Sequence, residues 1–234
     1  MKVAIMQPYL FPYIGYFQLI NIVDEYIVYD NIQFSKKGWI NRNRILVNGK
    51  DDYITLPLKK ASDYSNINDR NLSDDWNTER KKILNRITES YRKAPQFLIV
   101  FPLIEKILMY DDRNLFHFNF HSLEQIMTYL EIKTPLIISS TIAVDEQLKS
   151  EKKVMALCKA RNASTYINPI GGLELYNKDD FKKEGIELKF LKAYNIQYPQ
   201  YNNEFVPFLS IIDVMMFNTK EIVQQHIQSS FTLQ

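Results

Sequence analysis

The first thirty residues carry the pattern that most restricts the fold. Residues 2–6 form a short apolar run, and residues 25–30 (EYIVYD) are rich in β-branched and aromatic side chains, as in buried strands. Between them, residues 13–23 place apolar side chains at helical spacing. A strand, a helix and a second strand in close succession form a βαβ unit, which favours a parallel sheet with a right-handed crossover. We therefore expect an α/β fold.

The rest of the chain extends this pattern around a helical middle. Two β-prone runs flank Asn48 and Gly49, a pair that favours a hairpin turn because both residues tolerate positive φ. Polar residues 62–77 predict an exposed loop. Further strands are predicted at residues 135–139, 165–168 and 187–191, and helices at residues 78–92, 96–110, 114–131, 152–161 and within 208–227. We predict one domain over residues 1–234, Rossmann-like, with a mostly parallel sheet, flanking helices, a β-hairpin and a helical insertion at residues 78–131.

The composition narrows the class of protein. Hydrophobic residues make up 46% of the chain, enough for a substantial core, and the net charge of +2 is too small to favour a nucleic-acid partner. No segment reaches the roughly 20 apolar residues of a membrane-spanning helix, and the N-terminal apolar run is too short for a signal peptide. The single cysteine, Cys158, lies on an apolar stripe and is expected to be a core thiol. These features predict a cytoplasmic protein without membrane insertion.

The end of the first predicted strand is the first candidate for a functional site, because ligands of parallel sheets bind at the carboxyl ends of the strands. In MQPYLFPYIGYF, two prolines stiffen the loop, and a glycine allows close backbone approach at the start of a helix, whose amides attract anions. A rigid turn with aromatic packing would need the same residues. The candidates here are Gln7, Pro8, Tyr9, Pro12, Gly15 and Tyr16.

The second candidate begins at Asp30, which ends the second predicted strand. A carboxylate there is costly unless it is paired or used. The following residues combine cations, amides and an indole; arginine suits carboxylate or phosphate, and tryptophan offers a stacking face. On its own this segment would pass as a surface loop, but beside the first strand end it is expected to form the other half of a pocket. The substrate-binding candidates are Gln33, Lys36, Trp39, Asn41 and Arg42.

A third group follows a later strand, where NPIGG supplies Asn168, Gly171 and Gly172. Adjacent glycines allow a ligand to approach the backbone, although a tight turn needs them equally. His117 and His121 have the spacing of metal ligands on a helix, but no third ligand accompanies them, so we predict no metal site.

The motifs MQPYLFPYIGYFQLI, VDEYIVYDNIQF, KKGWINRNRIL, YINPIGGLELY and IIDVMMFN, in this order over nearly the whole chain, resemble the WbqC-like protein family. The resemblance implies a bacterial cytoplasmic protein associated with clusters for O-antigen and other surface polysaccharides. It also implies an activity, the transfer of glycine, an aminoacyl group, onto an amino sugar. It points to all the candidates named above except Lys36. The single acid of the last motif, Asp213, is either a buried hydrogen-bonding acid or part of the site.

A fainter resemblance links the front half of the chain to the HIGH-motif nucleotidyltransferases, and residues 138–141 (ISST) resemble part of their later phosphate-binding motif. The signature histidines are missing, since Tyr16 stands where a histidine would follow Gly15. Those histidines stabilise charge at the phosphate. Their absence leaves the fold analogy intact and puts adenylyl transfer in doubt.

The leading hypothesis is an acyl or aminoacyl transferase acting on a nucleotide- or lipid-linked amino sugar. Asp30 is the candidate base for the sugar's ammonium, with Gln7 and Tyr16 as further catalytic candidates. Activation of a free amino acid would require ATP and Mg²⁺, whereas a pre-activated donor would require neither, so the cofactor stays open. The alternatives are a non-catalytic sugar-nucleotide-binding or scaffold protein and a nucleotidyltransferase that lacks the histidines. Exposed aromatic residues are also consistent with the interface of a homodimer.

Overall fold

A six-stranded sheet lies at the centre of the computed structural model, which describes residues 1–234. The strands are β1 (Lys2–Met6), β2 (Glu25–Val28), β3 (Arg42–Val47), β4 (Lys50–Thr55), β5 (Leu136–Ile138), β6 (Thr165–Pro169), β7 (Glu187–Ala193) and β8 (Phe231–Leu233). The helices are α1 (Ile14–Asn21), α2 (Trp76–Tyr91), α3 (Phe97–Leu108), α4 (Leu115–Tyr129), α5 (Ser150–Ala160), α6 (Lys178–Lys183), α7 (Ile211–Phe217) and α8 (Lys220–Ser229).

The central sheet has the order β5-β2-β1-β6-β7-β8, and all its neighbours are parallel except β7 and β8. Strands β3 and β4 form a separate antiparallel hairpin. The predicted α/β fold with a mostly parallel sheet, flanking helices and a hairpin is confirmed. The chain leaves β1 toward β2 on one side and later returns to β6 on the other. Such a reversal of strand order is where open α/β sheets bind ligands.

The pairing of strands β1 and β6 covers only their first residues. β1 pairs with β2 along its length, up to Met6 opposite Val28. Its pairing with β6 stops at Val3 opposite Tyr166, although both strands continue beyond these residues. The reversal of strand order therefore lies between β1 and β6, whose carboxyl-terminal residues are not paired with each other.

Apolar side chains alternate between the two faces of the sheet, which places helices on both. In β1, Val3 and Ile5 pack in a cluster of 12 buried residues with α5, whereas Ala4 packs in a cluster of 48 that includes α1 to α4. Cys158 lies in the smaller cluster, where burial raises the pKa of its thiol to about 12. The predicted core thiol is confirmed. No helix combines the length and the apolar character needed to cross a membrane.

The segment at residues 62–77 departs from the predicted exposed loop. Its polar side chains surround four buried residues: Ile67, Arg70, Leu72 and Trp76. They are buried because the segment pairs with its neighbours through isolated bridges and packs a short 3-10 turn at Ile67–Asp69 against α4. The short elements α6 and β8 were also missed, since six and three residues are too few to show a period. The closing region forms the two helices α7 and α8.

Candidate functional site

At the end of β1, Tyr16 holds the backbone of Gln7, while the side chain of Gln7 remains without a partner. Its buried hydroxyl donates a hydrogen bond of 2.9 Å to the Gln7 carbonyl, and its ring packs on Tyr9 with 5.6 Å between centroids. Burial raises the pKa of Tyr16, which therefore remains a neutral donor. The half-buried side chain of Gln7 has no hydrogen-bond partner within the protein. It is available to a ligand at the carboxyl end of β1.

The other candidates after β1 serve the shape of the loop. Pro8 and Pro12 are buried, and their carbonyls accept hydrogen bonds from the Asn119 amide at 3.2 Å and from a backbone amide of α7 at 3.0 Å. A Cβ on Gly15 would lie 3.2 Å from the Cβ of Ala193. Its missing side chain lets α1 approach β7, so the close contact at this glycine is with the protein itself.

Asp30 connects three segments at the carboxyl edge of the sheet. One carboxylate oxygen accepts hydrogen bonds from the Ser139 hydroxyl at 2.7 Å and the Ser140 amide at 2.9 Å, and the other accepts from the Asn68 side chain at 2.9 Å. Burial acts to raise the pKa of Asp30, but these hydrogen bonds outweigh it and hold the pKa below its ordinary value. Asp30 is therefore an ionised carboxylate that ties β2 to β5 and to the turn at Ile67–Asp69.

The same turn places Arg70. The backbone amide of Asn68 donates to the Asp30 carbonyl at 3.3 Å, which fixes the turn from a second direction. Arg70 follows directly, is 5% exposed, and holds its guanidinium 4.5 Å from the ring centroid of Phe34. One nitrogen donates to the Ser62 carbonyl at 3.1 Å, while the buried Nε has no partner. An arginine is thus held by Phe34 and Ser62 directly after the turn that is bonded to the strand-edge carboxylate.

Arg70 lines a cavity of about 250 Å³, which we call the cationic pocket. Its charged walls are Lys36, Lys59, Lys60 and Arg70 with one carboxylate, Asp63. Lys36 pairs with Asp63 at 2.6 Å, and Lys59 pairs with an aspartate outside the pocket, whereas Lys60 has no acidic partner. Lys60 and Arg70, which have no acidic partner, make the pocket positive and suited to an anion such as phosphate.

Two predicted binding residues hold the walls of this pocket. The exposed Gln33 donates from its side chain to the Asp63 carbonyl at 2.9 Å. Asn41 lines the pocket and donates to the Leu56 carbonyl at 2.9 Å, which joins the base of the hairpin to the preceding loop. The structure therefore brings Gln33, Lys36 and Asn41 together.

Trp39 and Arg42, on either side of Asn41 in sequence, belong to a stack in which two aromatic rings lie between two arginines. The Trp39 ring stacks on Tyr53 at 6.3 Å and 21°, with the Arg42 guanidinium 5.0 Å from Tyr53 and the Arg44 guanidinium 5.5 Å from Trp39. Arg42 donates only to backbone carbonyls of residues 37 and 38 and has no carboxylate partner. This arginine–aromatic stack presents a positive, partly exposed aromatic surface.

The third predicted group is explained largely by its own packing. The buried Asn168 side chain accepts a hydrogen bond from the Tyr166 hydroxyl at 3.1 Å. A Cβ on Gly172 would lie 1.9 Å from the side-chain nitrogen of Asn168, so only glycine fits there without rearrangement. Gly171, in contrast, is exposed and has no atom within 4 Å of its would-be Cβ. The loop therefore offers open backbone at Gly171, just after β6.

The side chains of His117 and His121 do not point to a common metal position, because each contacts a different neighbour. His117 Nδ1 lies 2.7 Å from an oxygen of Asp112, and the His121 ring stacks on Tyr110 at 4.0 Å and 12°. No group of three or more His, Cys, Asp or Glu side chains is arranged to hold a metal ion.

Asp213 is a fully buried acid with three neutral donors. Its oxygens accept hydrogen bonds from the hydroxyls of Tyr91 and Tyr198, both at 2.8 Å, and from the Gln200 amide at 2.7 Å. Burial raises its pKa to about 6, against the opposing effect of these hydrogen bonds. Of the two interpretations of the sequence, the buried hydrogen-bonding acid describes its surroundings.

Sequence reasoning missed three cations and an amide of this region: Lys59, Lys60, Arg70 and Asn68. The adjacent lysines directly after the hairpin were visible as a local cluster of charge. Arg70 and Asn68 gave no local signal, because their positions depend on contacts with Phe34 and Asp30, each more than thirty residues away.

Comparison with known proteins identifies the family to which the chain is similar. The sequence profile of the WbqC-like protein family matches residues 7–225. The chain is also 30% identical over 223 residues to the uncharacterized protein Rv1507c of Mycobacterium tuberculosis, an alignment that covers 93% of each chain. No solved structure matches the chain.

Proposed function

The chain belongs to the WbqC-like protein family, and from this premise we propose that it transfers an acyl or aminoacyl group, such as glycine, onto an amino sugar. The sugar would be carried on a nucleotide or lipid phosphate during surface-polysaccharide biosynthesis in the cytoplasm. The observation that carries the proposal is the cationic pocket, whose Arg70 follows the turn bonded to Asp30 at the end of β2. An enzyme for a phosphate-linked sugar needs a positive site for the phosphate, and the charge of this pocket supports that role.

In the proposed complex, phosphate occupies the cationic pocket. Arg70 would contact it through a guanidinium already oriented by Phe34, so little side-chain entropy is lost on binding. Lys60 would add a charge that no acid of the protein neutralises. The arginine–aromatic stack would hold the base of a nucleotide on the exposed part of Trp39, with Arg42 toward the phosphates.

The proposed chemistry takes place over the strand ends. The amine of the sugar attacks the donor's carbonyl carbon, an N–C bond forms, the bond to the leaving group breaks, and the amine's proton departs with that group. The free amide of Gln7 is suited to donate a hydrogen bond to the oxyanion that develops on the carbonyl. Tyr16 would act as a positioning residue, because its hydroxyl holds the backbone of Gln7.

Asp30 has a different proposed role from that of a strong base. A lowered pKa makes a carboxylate a weaker base, and three hydrogen bonds already occupy its oxygens. We assign it the positioning of Ser139, Asn68 and, through the turn, Arg70. A donor carried as an activated acyl group would need no cofactor, whereas a free amino acid would need ATP and Mg²⁺.

A binding experiment tests the pocket. Calorimetric titration with UDP- and dTDP-linked amino sugars should show binding, and Lys60→Gln should weaken it by about tenfold, the effect of one charged hydrogen bond. Lys37→Gln removes an exposed cation of the neighbouring loop outside the pocket and should change little. Equal losses in both variants, or no binding of any of these ligands, would contradict the phosphate site.

A second experiment separates a transferase from a binder. The protein is incubated with the amino sugar that bound in the titration and with a glycine donor. The donor is either free glycine with ATP and Mg²⁺ or a glycyl thioester, and the sugar is then analysed by mass spectrometry. A product that gains one glycyl group supports transfer, and Gln7→Ala should lower turnover with little effect on affinity. Tight binding without any product would favour the non-catalytic sugar-nucleotide-binding protein instead.

A further inference from the structure

A second and larger cavity, of about 820 Å³, lies at the far end of the hairpin; we call it the tip cleft. Its walls come from the β3–β4 turn at residues 46–49, the carboxyl end of α2 and the turn at residues 201–203. It shares no lining residue with the cationic pocket. The length of β3 separates the two, six residues that correspond to roughly 20 Å of extended chain.

Hydrogen bonds from behind hold the walls of the tip cleft in place. The Tyr91 hydroxyl accepts a hydrogen bond from the Leu46 amide at 2.8 Å and donates to Asp213 at 2.8 Å, which fixes the hairpin to α2 and α7. The Tyr201 hydroxyl donates to the Ser90 carbonyl at 2.8 Å and fixes the 201–203 turn to the same helix. The cleft is therefore preorganised, which lowers the cost of binding a ligand.

The lining of the tip cleft is polar and positively charged. Its charged residues are Arg86, Arg92 and Lys93 with one acid, Glu89. Arg86 is paired with an aspartate of β4, and Arg92 contacts Glu89 at 3.4 Å, whereas Lys93 has no acidic partner. A volume within the range of small-molecule sites, combined with this charge, suits a polar anion.

Helix electrostatics alone do not account for this lining. Cations at the carboxyl end of a helix are stabilised by its dipole, which would be reason enough for Arg92 and Lys93. However, Asn48 and Asn202 line the same space from two other segments, and their exposed side-chain amides make no hydrogen bond within the protein. In a preorganised cleft lined by both kinds of group, the amides can bind the hydroxyls of a sugar and the cations can bind its phosphate.

We propose that the tip cleft is a binding site for a phosphorylated carbohydrate. The phosphate lies at Arg92 and Lys93, and the sugar hydroxyls bond to Asn48 and Asn202. This site is independent of the proposed transfer reaction, because it rests on different residues. It equips the protein with a second carbohydrate subsite, at the end of the hairpin opposite the cationic pocket.

The test is a titration of ¹⁵N-labelled protein with glucose 1-phosphate, followed by NMR, with glucose and inorganic phosphate as the separate halves of the probe. Glucose 1-phosphate should shift the amide signals of Lys93 and Asn202 and bind more tightly than either half. Lys93→Gln should raise the dissociation constant by roughly tenfold, as expected for one charged hydrogen bond. Lys81→Gln, an exposed cation of α2 outside the cleft, is the matched control and should leave it unchanged.

Three results would overturn the proposal. The first is the absence of shifts at the tip cleft at millimolar glucose 1-phosphate, and the second is shifts confined to the cationic pocket. The third is an equal loss of affinity in Lys93→Gln and Lys81→Gln, which would indicate attraction by overall charge. Because the readout is binding at named amides, a failure here leaves the proposed transfer reaction untouched, and a failure of transfer leaves this site untouched.

Discussion

At the residue scale, two adjacent glycines have opposite surroundings. Gly172 is buried against the Asn168 side chain, which is itself held by Tyr166. Gly171 is exposed and has free space where a side chain would project. The pair therefore combines one glycine required by packing with one that leaves the backbone open, a distinction that the letters GG do not reveal.

Gly172→Ala should destabilise the protein by about 1–3 kcal/mol, the usual cost of overpacking, because Asn168 must turn away and lose its bond to Tyr166. Urea denaturation measures the change in the free energy of unfolding. Gly171→Ala is the control and should stay within about 0.5 kcal/mol of the parent. Equal stability of the two variants would show that the Asn168 contact is not restrictive.

A second residue-scale prediction concerns pH and Asp213. Its pKa of about 6 in the folded protein lies above its ordinary value of 3.8, so the folded protein binds the proton more tightly between these values. Stability should therefore rise as the pH falls from about 6 to 4, by about 3 kcal/mol at 1.36 kcal/mol per pKa unit. Below and above this window, the contribution of Asp213 should be constant.

The measurement is the free energy of unfolding at pH 4, 5, 6 and 7 for the parent and for Asp213→Asn. The difference between the two proteins should follow the predicted slope, because the amide does not titrate. Glu146→Gln, which alters an exposed carboxylate, should retain the parent's profile. A parallel pair of curves for the parent and Asp213→Asn would refute the raised pKa.

At the element scale, Asp30 connects the edge of the sheet to the turn that precedes Arg70 of the cationic pocket. It joins the ends of β2 and β5 and anchors the Ile67–Asp69 turn through Asn68, and the turn then leads to Arg70. The pocket's central cation is thus positioned by elements that are distant in sequence.

Asn68→Ala should break this link. It removes a hydrogen bond to an ionised carboxylate, which is worth about 1.5–3 kcal/mol, and frees the turn that carries Arg70. We expect lower stability in urea together with weaker binding of the anionic ligand in the cationic pocket. Asn71→Ala, an exposed amide of the same segment, should change neither property. A loss of stability with unaltered binding would show that Arg70 is positioned by Phe34 alone.

At the scale of the whole molecule, one large apolar cluster joins the helical middle to the rest. Its 48 buried residues include Ile87, Ile107 and Ile126 from α2, α3 and α4 as well as residues of α1, the hairpin and the closing helices. The predicted helical insertion therefore shares its core with the sheet. Elements that share a core of this kind lose their stability together.

We accordingly predict a single calorimetric unfolding transition, with the calorimetric enthalpy equal to the van't Hoff enthalpy. Ile107→Ala in α3 and Ile20→Ala in α1 should each lower the midpoint of that same transition, by about 2–5 kcal/mol of stability. Two transitions, with each variant affecting a different one, would instead indicate that the helical middle is a separate domain.

The order of the helices and strands was predictable because each of them produces a local pattern of apolar residues in the sequence. Apolar patterns identified every strand of the central sheet except β8, together with the βαβ unit and most helices, and the Asn48-Gly49 pair identified the hairpin turn. The same patterns drew attention to the strand ends, where Gln7 and Asp30 lie. These signals span a few residues each, the range over which side-chain spacing reports secondary structure.

Tertiary structure alone decided which polar groups are free and which are already bonded. Asp30 meets Ser139 across 109 positions of sequence, Asp213 meets Tyr91 across 122, and Arg70 lies flat on Phe34. Such contacts leave no period in the sequence, because they depend on how whole elements pack. The sequence by itself therefore determined the fold class and the neighbourhood of the candidate site, whereas packing determined the charge state of its acids, the cationic pocket and the tip cleft.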